Sequence, residues 1–222
     1  MPDIFDEIEE EVRAERLRHL LSRYAGLILI AVLLIVAAVA GWRLWGSYQT
    51  RRDQRAAVLY LTAVNQVRTP GDAGKETRLA GQSELVQLAK TAPPGYRALA
   101  RLRAAALLEQ DGKTAEALAM YNALATDSSA GPLLRQLATL LWAERQIDTG
   151  DPQSLEARLK PLAAPHSPWR ALAERELALL DMRRNKPEAA RATLQGLATD
   201  ATAPVGVRES AQLLLQQMEG TR

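Results

Sequence analysis

The sequence predicts an all-α protein in which a single N-terminal transmembrane helix is followed by a solenoid of helical hairpins. Residues 25 to 42 form one unbroken apolar stretch, AGLILIAVLLIVAAVAGW. Beyond it, segments with apolar residues at helical spacing alternate with short breaks rich in Pro, Gly and Asp. Hydrophobic residues make up 47% of the chain but include one Phe. The core must therefore be built mainly from Leu, Ala and Val, which favours packed helices.

The segment before the apolar stretch is acidic and helical in pattern. Residues 1 to 23 carry seven acidic side chains against four arginines. Ile4, Ile8 and Val12 recur every four residues with Phe5 beside them, which predicts an amphipathic helix. Two interpretations remain open for this stripe. Phe5 and Ile8 could dock onto a partner protein, or the helix could be a soluble lead-in to the membrane span.

The apolar stretch has the length and the flanks of a membrane anchor. At about 1.5 Å per residue its 18 residues extend roughly 27 Å, close to the ~30 Å of a bilayer's hydrocarbon core. Aromatic rings favour the headgroup zone, and an arginine beside them can extend its guanidinium outward. The predicted membrane-interface residues at the two ends are Tyr24, Trp42, Arg43, Trp45 and Tyr48.

Two alternatives to an anchor are a buried core helix and a cleaved signal peptide. Ala38, Val39 and Ala40 match the A-x-A cleavage pattern. However, the preceding region is long and acidic, and the alanine pair lies inside the apolar stretch, so the sequence favours an uncleaved anchor. The positive-inside rule does not orient it, because four arginines lie within about 15 residues of the span on each side.

The remainder of the chain predicts successive helices. The first residues of three hairpins, Tyr96, Leu133 and Trp169, are 37 and 36 residues apart, close to the 34-residue period of tetratricopeptide repeats. An irregular bundle of Ala- and Leu-rich hairpins is the open alternative. The predicted helices are 51–68 (continuing the membrane helix), 75–91, 96–110, 114–126, 133–148, 154–162, 169–184, 187–199 and 205–218.

The sequence gives little support for catalysis. Without Cys, thiolate catalysis, disulfides and thiolate metal sites are excluded. The two histidines, His19 and His166, have no neighbours at metal-ligand spacing. The Gly74-Lys75 pair is not a phosphate-binding loop, because that pattern requires Gly at 69 and Ser or Thr at 76. We therefore predict that the chain is not an enzyme and holds no cofactor or metal.

Charge and architecture favour protein partners. Residues 56 to 222 carry 20 basic and 18 acidic side chains. This nearly neutral balance does not provide the excess of positive charge that is typical of a nucleic-acid-binding protein. Stacked helical hairpins form a concave groove that commonly binds peptides or proteins. The aromatic residues that could line such a groove, each of which could instead fill the core, are Tyr60, Tyr96, Tyr121 and Trp142.

Four segments carry a family resemblance: SRYAG at 22 to 26, GWRLWGSYQ at 41 to 49, RAAVLYLTAV at 55 to 64 and GYRALARLRAAALL at 95 to 108. Through them the chain resembles a bacterial family of tetratricopeptide repeat-like inner-membrane proteins, described as ancillary subunits of the SecYEG translocon. The lead-in is similar to that of the alphaproteobacterial branch.

The resemblance implies a single-pass inner-membrane protein with a cytoplasmic N-terminus and a periplasmic C-terminal domain. The implied partners are the lipid bilayer, the SecYEG translocon, periplasmic chaperones and secretory polypeptides. The expected function is to link secretory clients to those chaperones. The predicted domains are a cytoplasmic acidic tail (1–23), the anchor with its aromatic belt (24–48), a connecting helical hairpin (49–92) and the repeat domain (93–222).

Two other functions stay open. The first is a membrane-tethered scaffold for cell-envelope assembly or division that does not contact unfolded clients. The second is an adaptor whose repeat domain faces the cytoplasm.

Overall fold

The computed structural model describes residues 4–70 and 74–220, with side chains described at residue 26 and from residue 29 onward. Within these residues every regular element is an α-helix, which confirms the predicted all-α fold. The helices are α1 Ile4–Val67, α2 Lys75–Thr91, α3 Pro94–Gln110, α4 Thr114–Ala125, α5 Pro132–Gln146, α6 Pro152–Leu159, α7 Arg170–Arg183, α8 Pro187–Thr199 and α9 Val205–Gly220.

The chain divides into two compact units, Met1–Gln54 and Arg55–Arg222. In the first unit the described structure is one uninterrupted helix, the part of α1 that ends at Gln54. Its large apolar side chains are exposed from Leu29 onward. The stretch Leu29–Val67 contains an 18-residue window with a mean hydropathy of 2.0 and no buried residue, so α1 is long and apolar enough to cross a membrane.

The second unit is a stack of helical hairpins. From α2 to α9, each helix packs against the next one along the chain. The alternate helices α3, α5, α7 and α9 also contact one another in turn. A hairpin stack produces this pattern, because each repeat contacts its neighbours in the row. The arrangement confirms the predicted hairpin order.

Small side chains dominate the interior of the stack. Ala105 and Ala117 bury the contact between α3 and α4, and Ala178 and Ala190 occupy the matching places between α7 and α8. Alanine at such positions lets two helix backbones approach closely. Leu155, in α6, is among the largest fully buried side chains. The core therefore alternates close helix contacts with leucines that fill the wider gaps.

The end of α1 belongs to this packed unit. Ala56 and Ala63 are buried against Leu85 of α2 and Ala100 of α3. A Cβ atom on Gly81 of α2 would lie 2.7 Å from the carbonyl oxygen of Ala63. A side chain does not fit in that space, so glycine is required where α2 crosses α1.

Proline and residues with positive φ set the helix ends. Pro94, Pro132, Pro152 and Pro187 lie in the first turns of their helices, where the missing N–H costs no hydrogen bond. Gly112, with φ 76°, and Asn185, with φ 55°, turn the chain after α3 and α7, and they are the residue types that best adopt this conformation.

The predicted boundaries of α2 and α8 match the structure, and α6 shows the largest difference. A helix over 154–162 was predicted, but α6 spans Pro152–Leu159. The Asp151 carboxylate accepts a hydrogen bond from the Ser154 N–H at 2.8 Å, which caps an earlier start. Lys160 keeps helical dihedral angles, with φ −54° and ψ −43°, but Pro161 has no N–H to donate to the Ala157 carbonyl, so the helix ends before it.

Candidate protein-interaction site

The predicted membrane-interface residues with described side chains are all exposed. Trp42 is 80% exposed, and Arg43, Trp45 and Tyr48 are exposed as well. The Arg52 guanidinium lies over the Tyr48 ring at 5.7 Å. Because cations are attracted to the negative face of an aromatic ring, this contact favours the observed arrangement of the two side chains. The remaining predicted side chains, those of Phe5, Ile8 and Tyr24, lie outside the side chains that the structure describes.

Two of the predicted groove residues lie together. The rings of Tyr60, in α1, and Tyr96, in α3, have centroids 6.2 Å apart and are tilted by 53°. Both side chains are partly buried against the cluster around Leu85. Tilted aromatic pairs at this separation add a small attraction to the area that they bury. This pair therefore helps to hold the end of α1 onto α3.

The other two groove residues, Tyr121 of α4 and Trp142 of α5, meet in a second cluster. Tyr121 is 2% exposed, so its ring is a core side chain. The Arg158 guanidinium lies 3.9 Å from the centroid of the Trp142 ring and donates a hydrogen bond to Asn122 Oδ1 at 2.7 Å. The structure thus forms two separate aromatic clusters from the four residues.

A line of charges runs from the C-terminal ends of α3 and α5 to the middle of α7. Arg145 Nε donates to Glu109 Oε1 at 2.6 Å, and its neighbour Glu144 lies 4.0 Å from Arg175. Arg175 in turn donates to Glu176 at 2.6 Å. Alternating charges at these distances connect three successive hairpins. The sequence did not predict this line of charges, because its members come from three different helices.

Glu176 at the end of this line is 1% exposed. Burial raises the pKa of its carboxyl group, and the hydrogen bond from Arg175 partly opposes that effect. Within the described structure, its Oε2 atom has no hydrogen-bond partner. Burial likewise raises the pKa of the Tyr121 hydroxyl to about 12, with a further contribution from the Glu109 carboxylate.

Two aspartates close equivalent turns after α4 and α8. Asp127 Oδ1 accepts hydrogen bonds from the backbone N–H and the hydroxyl of Ser129, and its Oδ2 accepts from Arg101. Asp200 is bonded in the same way by Thr202 and Arg170.

In both turns the hydroxyl hydrogen bond, together with the arginine, lowers the pKa of the aspartate. This motif was not predicted from the sequence. The available signal was the near-repetition of TDSSA at 126 to 130 as TDATA at 199 to 203, 73 residues later.

A cavity of about 560 Å³ lies between α6, α7 and α8. None of the four predicted aromatic residues lines this cavity. The cavity was not predicted from the sequence, because its walls come from three helices. The lining residues are Glu156, Lys160, Arg170, Glu174, Leu177, Leu180, Asp181, Arg184, Ala192, Thr193, Gly196, Leu197 and Asp200.

A second cavity of about 350 Å³ lies between α2 and α3. Leu79, Val86, Leu107 and Leu108 make its walls mainly apolar. Neither cavity holds a cluster suited to a metal ion, and among the side chains that the structure describes there is no group of three or more His, Asp or Glu residues that could bind one.

Comparisons with known proteins support a tetratricopeptide-like family. The family model of a tetratricopeptide repeat-like domain matches residues 18–85, a range that covers most of α1 and most of α2. Domains of this kind are typically interaction modules without catalytic activity. No curated protein and no solved structure matches the chain.

Proposed function

We propose that this chain is a membrane-anchored interaction module that serves as an ancillary factor of the SecYEG translocon, linking secretory clients to periplasmic chaperones. One observation carries the membrane part of this proposal. The apolar side chains of α1 from Leu29 to Val39 are exposed, and only a lipid bilayer or a partner of similar polarity would remove them from water.

The anchor would retain the repeat domain at the inner membrane. In this proposal residues 1–23 are a cytoplasmic tail, 24–48 the anchor, 49–92 a connecting hairpin and 93–222 a periplasmic repeat domain. Tyr24, Trp42, Arg43, Trp45 and Tyr48 would lie in the headgroup zones. Tethering raises the effective concentration of a binding surface near the channel, so weak and reversible contacts would suffice.

Binding to partners would use exposed surface of the hairpin stack and of the tail. Phe5, Ile8, Tyr60, Tyr96 and Trp142 are our candidate contacts, and Tyr121 would support them from the core. A stack of hairpins supports this role, because it presents a long surface whose residues can be substituted without altering the packed interior.

Crosslinking of the full-length chain in bacterial cells tests the partners. A photoreactive amino acid is placed at exposed positions of the repeat domain, such as Leu133 and Leu213. We expect channel subunits, secretory polypeptides and chaperones among the crosslinked products. Division or envelope-assembly proteins without channel subunits or clients would instead favour the tethered scaffold.

The orientation has its own test. A reporter enzyme that is active only in the periplasm is fused after Arg222 of the full-length chain. Periplasmic activity is expected, and a matched fusion to a reporter active only in the cytoplasm should be inactive. The reverse result would contradict the proposed topology and favour the cytoplasmic adaptor.

A further inference from the structure

The cavity between α6, α7 and α8 has the size of a ligand site. Its volume of about 560 Å³ falls within the roughly 300–1,000 Å³ that is typical of such sites. Glu156 of α6 and Lys160, the residue after that helix, are part of the lining, and α7 and α8 supply most of the wall.

One part of the cavity is apolar and has free space. Leu177 and Leu180 of α7 face Ala192, Gly196 and Leu197 of α8 across it. A Cβ atom built on Gly196 would meet no other atom within 4 Å. The surface of α8 at Gly196 therefore has open space that the apolar stem of a long side chain could occupy.

The arginines of the cavity are already neutralised. Arg170 donates hydrogen bonds to both Glu174 and Asp200. Arg184 donates to Glu156 at 2.5 Å. A carboxylate from a ligand would have to break one of these pairs, so the cavity disfavours acidic ligands.

An acidic group remains available in the wall. The Asp181 carboxylate has no hydrogen-bond or ion-pair partner among the residues that the structure describes. Asp181 follows Glu174 by seven residues and Leu177 by four, which places all three on one face of α7. Lys160, the third cation of the lining, is exposed, so water screens its charge. The lining carries four carboxylates against three cations, which complements a positively charged ligand.

From this combination we infer that the cavity between α6, α7 and α8 binds a lysine or arginine side chain of an extended polypeptide segment. The alkyl stem packs on Leu177, Leu197 and the open backbone at Gly196, and the cationic group lies at Asp181. Amphipathic basic side chains have this division into an apolar stem and a charged end. The inference rests on the proposed interaction role and does not require the partner to be the translocon.

A peptide titration on the full-length chain in lipid nanodiscs tests the ligand class. The probe is a fluorescently labelled peptide, Gly-Ser-Leu-Lys-Leu-Ser-Gly, and anisotropy measures its dissociation constant. In two matched peptides the lysine is replaced by norleucine or by glutamate. We expect the lysine peptide to bind about tenfold more tightly than the norleucine peptide, the scale of one charge-assisted hydrogen bond. The glutamate peptide should bind most weakly.

Two variants test the location of the site. Gly196→Leu fills the cavity, and Asp181→Asn removes the carboxylate charge; each should weaken binding of the lysine peptide about tenfold. Gly206→Leu is the matched control for the first variant, since a Cβ atom there also meets nothing within 4 Å and Gly206 does not line the cavity. Asp148→Asn is the control for the second, because Asp148 is an exposed aspartate outside the lining. Both controls should bind as the unmodified chain does, and thermal unfolding verifies that all four variants fold.

Equal binding of the lysine and norleucine peptides would overturn the inference, and so would unchanged affinity in folded Gly196→Leu and Asp181→Asn. Absence of peptide binding with channel crosslinks intact would refute the cavity and leave the proposed function in place. Peptide binding at the cavity without channel crosslinks would refute the translocon role and leave the site.

Discussion

The two units of the chain use similar apolar residues in opposite ways. Along α1, Leu, Ile and Val from Leu29 to Val39 are exposed. In the unit Arg55–Arg222, leucines such as Leu124 and Leu155 are fully buried. The difference lies in spacing, because an unbroken apolar run covers every face of a helix, whereas apolar residues every three or four positions cover one face. Hydrophobicity alone therefore does not separate a buried helix from an exposed apolar one, whereas the arrangement of apolar residues along the chain does.

Charges within the exposed stretch should have the largest effect. Each arginine at the centre of a membrane span costs about 2.5–3.5 kcal/mol, so Leu33→Arg together with Ile35→Arg should release the chain from the membrane fraction. Cell fractionation with an alkaline wash measures this. The exchanged pair Leu33→Ile and Ile35→Leu should remain in the membrane. Retention of the double arginine variant would contradict the anchor.

Truncation of a buried leucine should affect the packed unit. Leu124→Ala removes a fully buried side chain and should lower the free energy of unfolding by about 2–5 kcal/mol, measured by urea denaturation. Leu213 is 65% exposed, and Leu213→Ala should change that free energy by no more than about 0.5 kcal/mol. Similar effects from the two substitutions would remove the contrast between buried and exposed leucines.

The crossing of α1 and α2 can be tested with a single methyl group. In Gly81→Ala the new Cβ would lie 2.7 Å from the Ala63 oxygen and 2.9 Å from the Gln66 Cβ. Relieving this overlap should cost about 1–3 kcal/mol of unfolding free energy. Gly95→Ala meets no neighbouring atom within 4 Å and should be neutral or stabilising by up to about 1 kcal/mol. Equal stability of the two variants would mean that α1 does not pack on α2 at Ala63.

The smallest effect should come from the polar link between hairpins. Glu109→Gln removes the ion pair with Arg145, whose guanidinium side chain is partly exposed, and should cost at most about 1 kcal/mol. It should also lower the pKa of Tyr121, because the Glu109 carboxylate contributes to raising it. The ultraviolet absorbance of tyrosinate follows this pKa, and Glu116→Gln on the exposed start of α4 is the control. An unchanged Tyr121 titration would exclude this coupling.

The same tyrosine gives the stability a defined pH dependence. The folded state raises the pKa of Tyr121 from 10.0 to about 12, so folding favours the neutral hydroxyl. This contribution is fully present below pH 10 and is lost as the pH rises towards 12. Tyr121→Phe should remove this component of alkaline unfolding.

Much of the fold was predictable, because it depends on local signals. Prolines, glycines and the apolar period fixed the order of the helices, and the predicted ranges of α2 and α8 equal the observed ones. The end of α6 was missed because the hydrogen bond that Pro161 cannot donate outweighed the continuing apolar pattern.

The polar contacts and the cavity were not predictable in the same way. Arg145 reaches Glu109, and Arg158 reaches Asn122, each across 36 residues of sequence. Such partners become neighbours only when one hairpin stacks on the next. The cavity likewise forms only when α6, α7 and α8 pack together. The empty space beside Gly196 depends on this packing and cannot be deduced from the sequence.

The alanines of the hairpin stack have a mechanical consequence. Ala105, Ala117, Ala178 and Ala190 are fully buried, and an alanine side chain has no rotamers to exchange. Side chains at these contacts cannot rearrange when a force displaces one helix. The close-packed neighbouring helices therefore transmit the strain. We therefore expect the hairpin stack to be stiff, so that a force applied to one hairpin is transmitted to its neighbours.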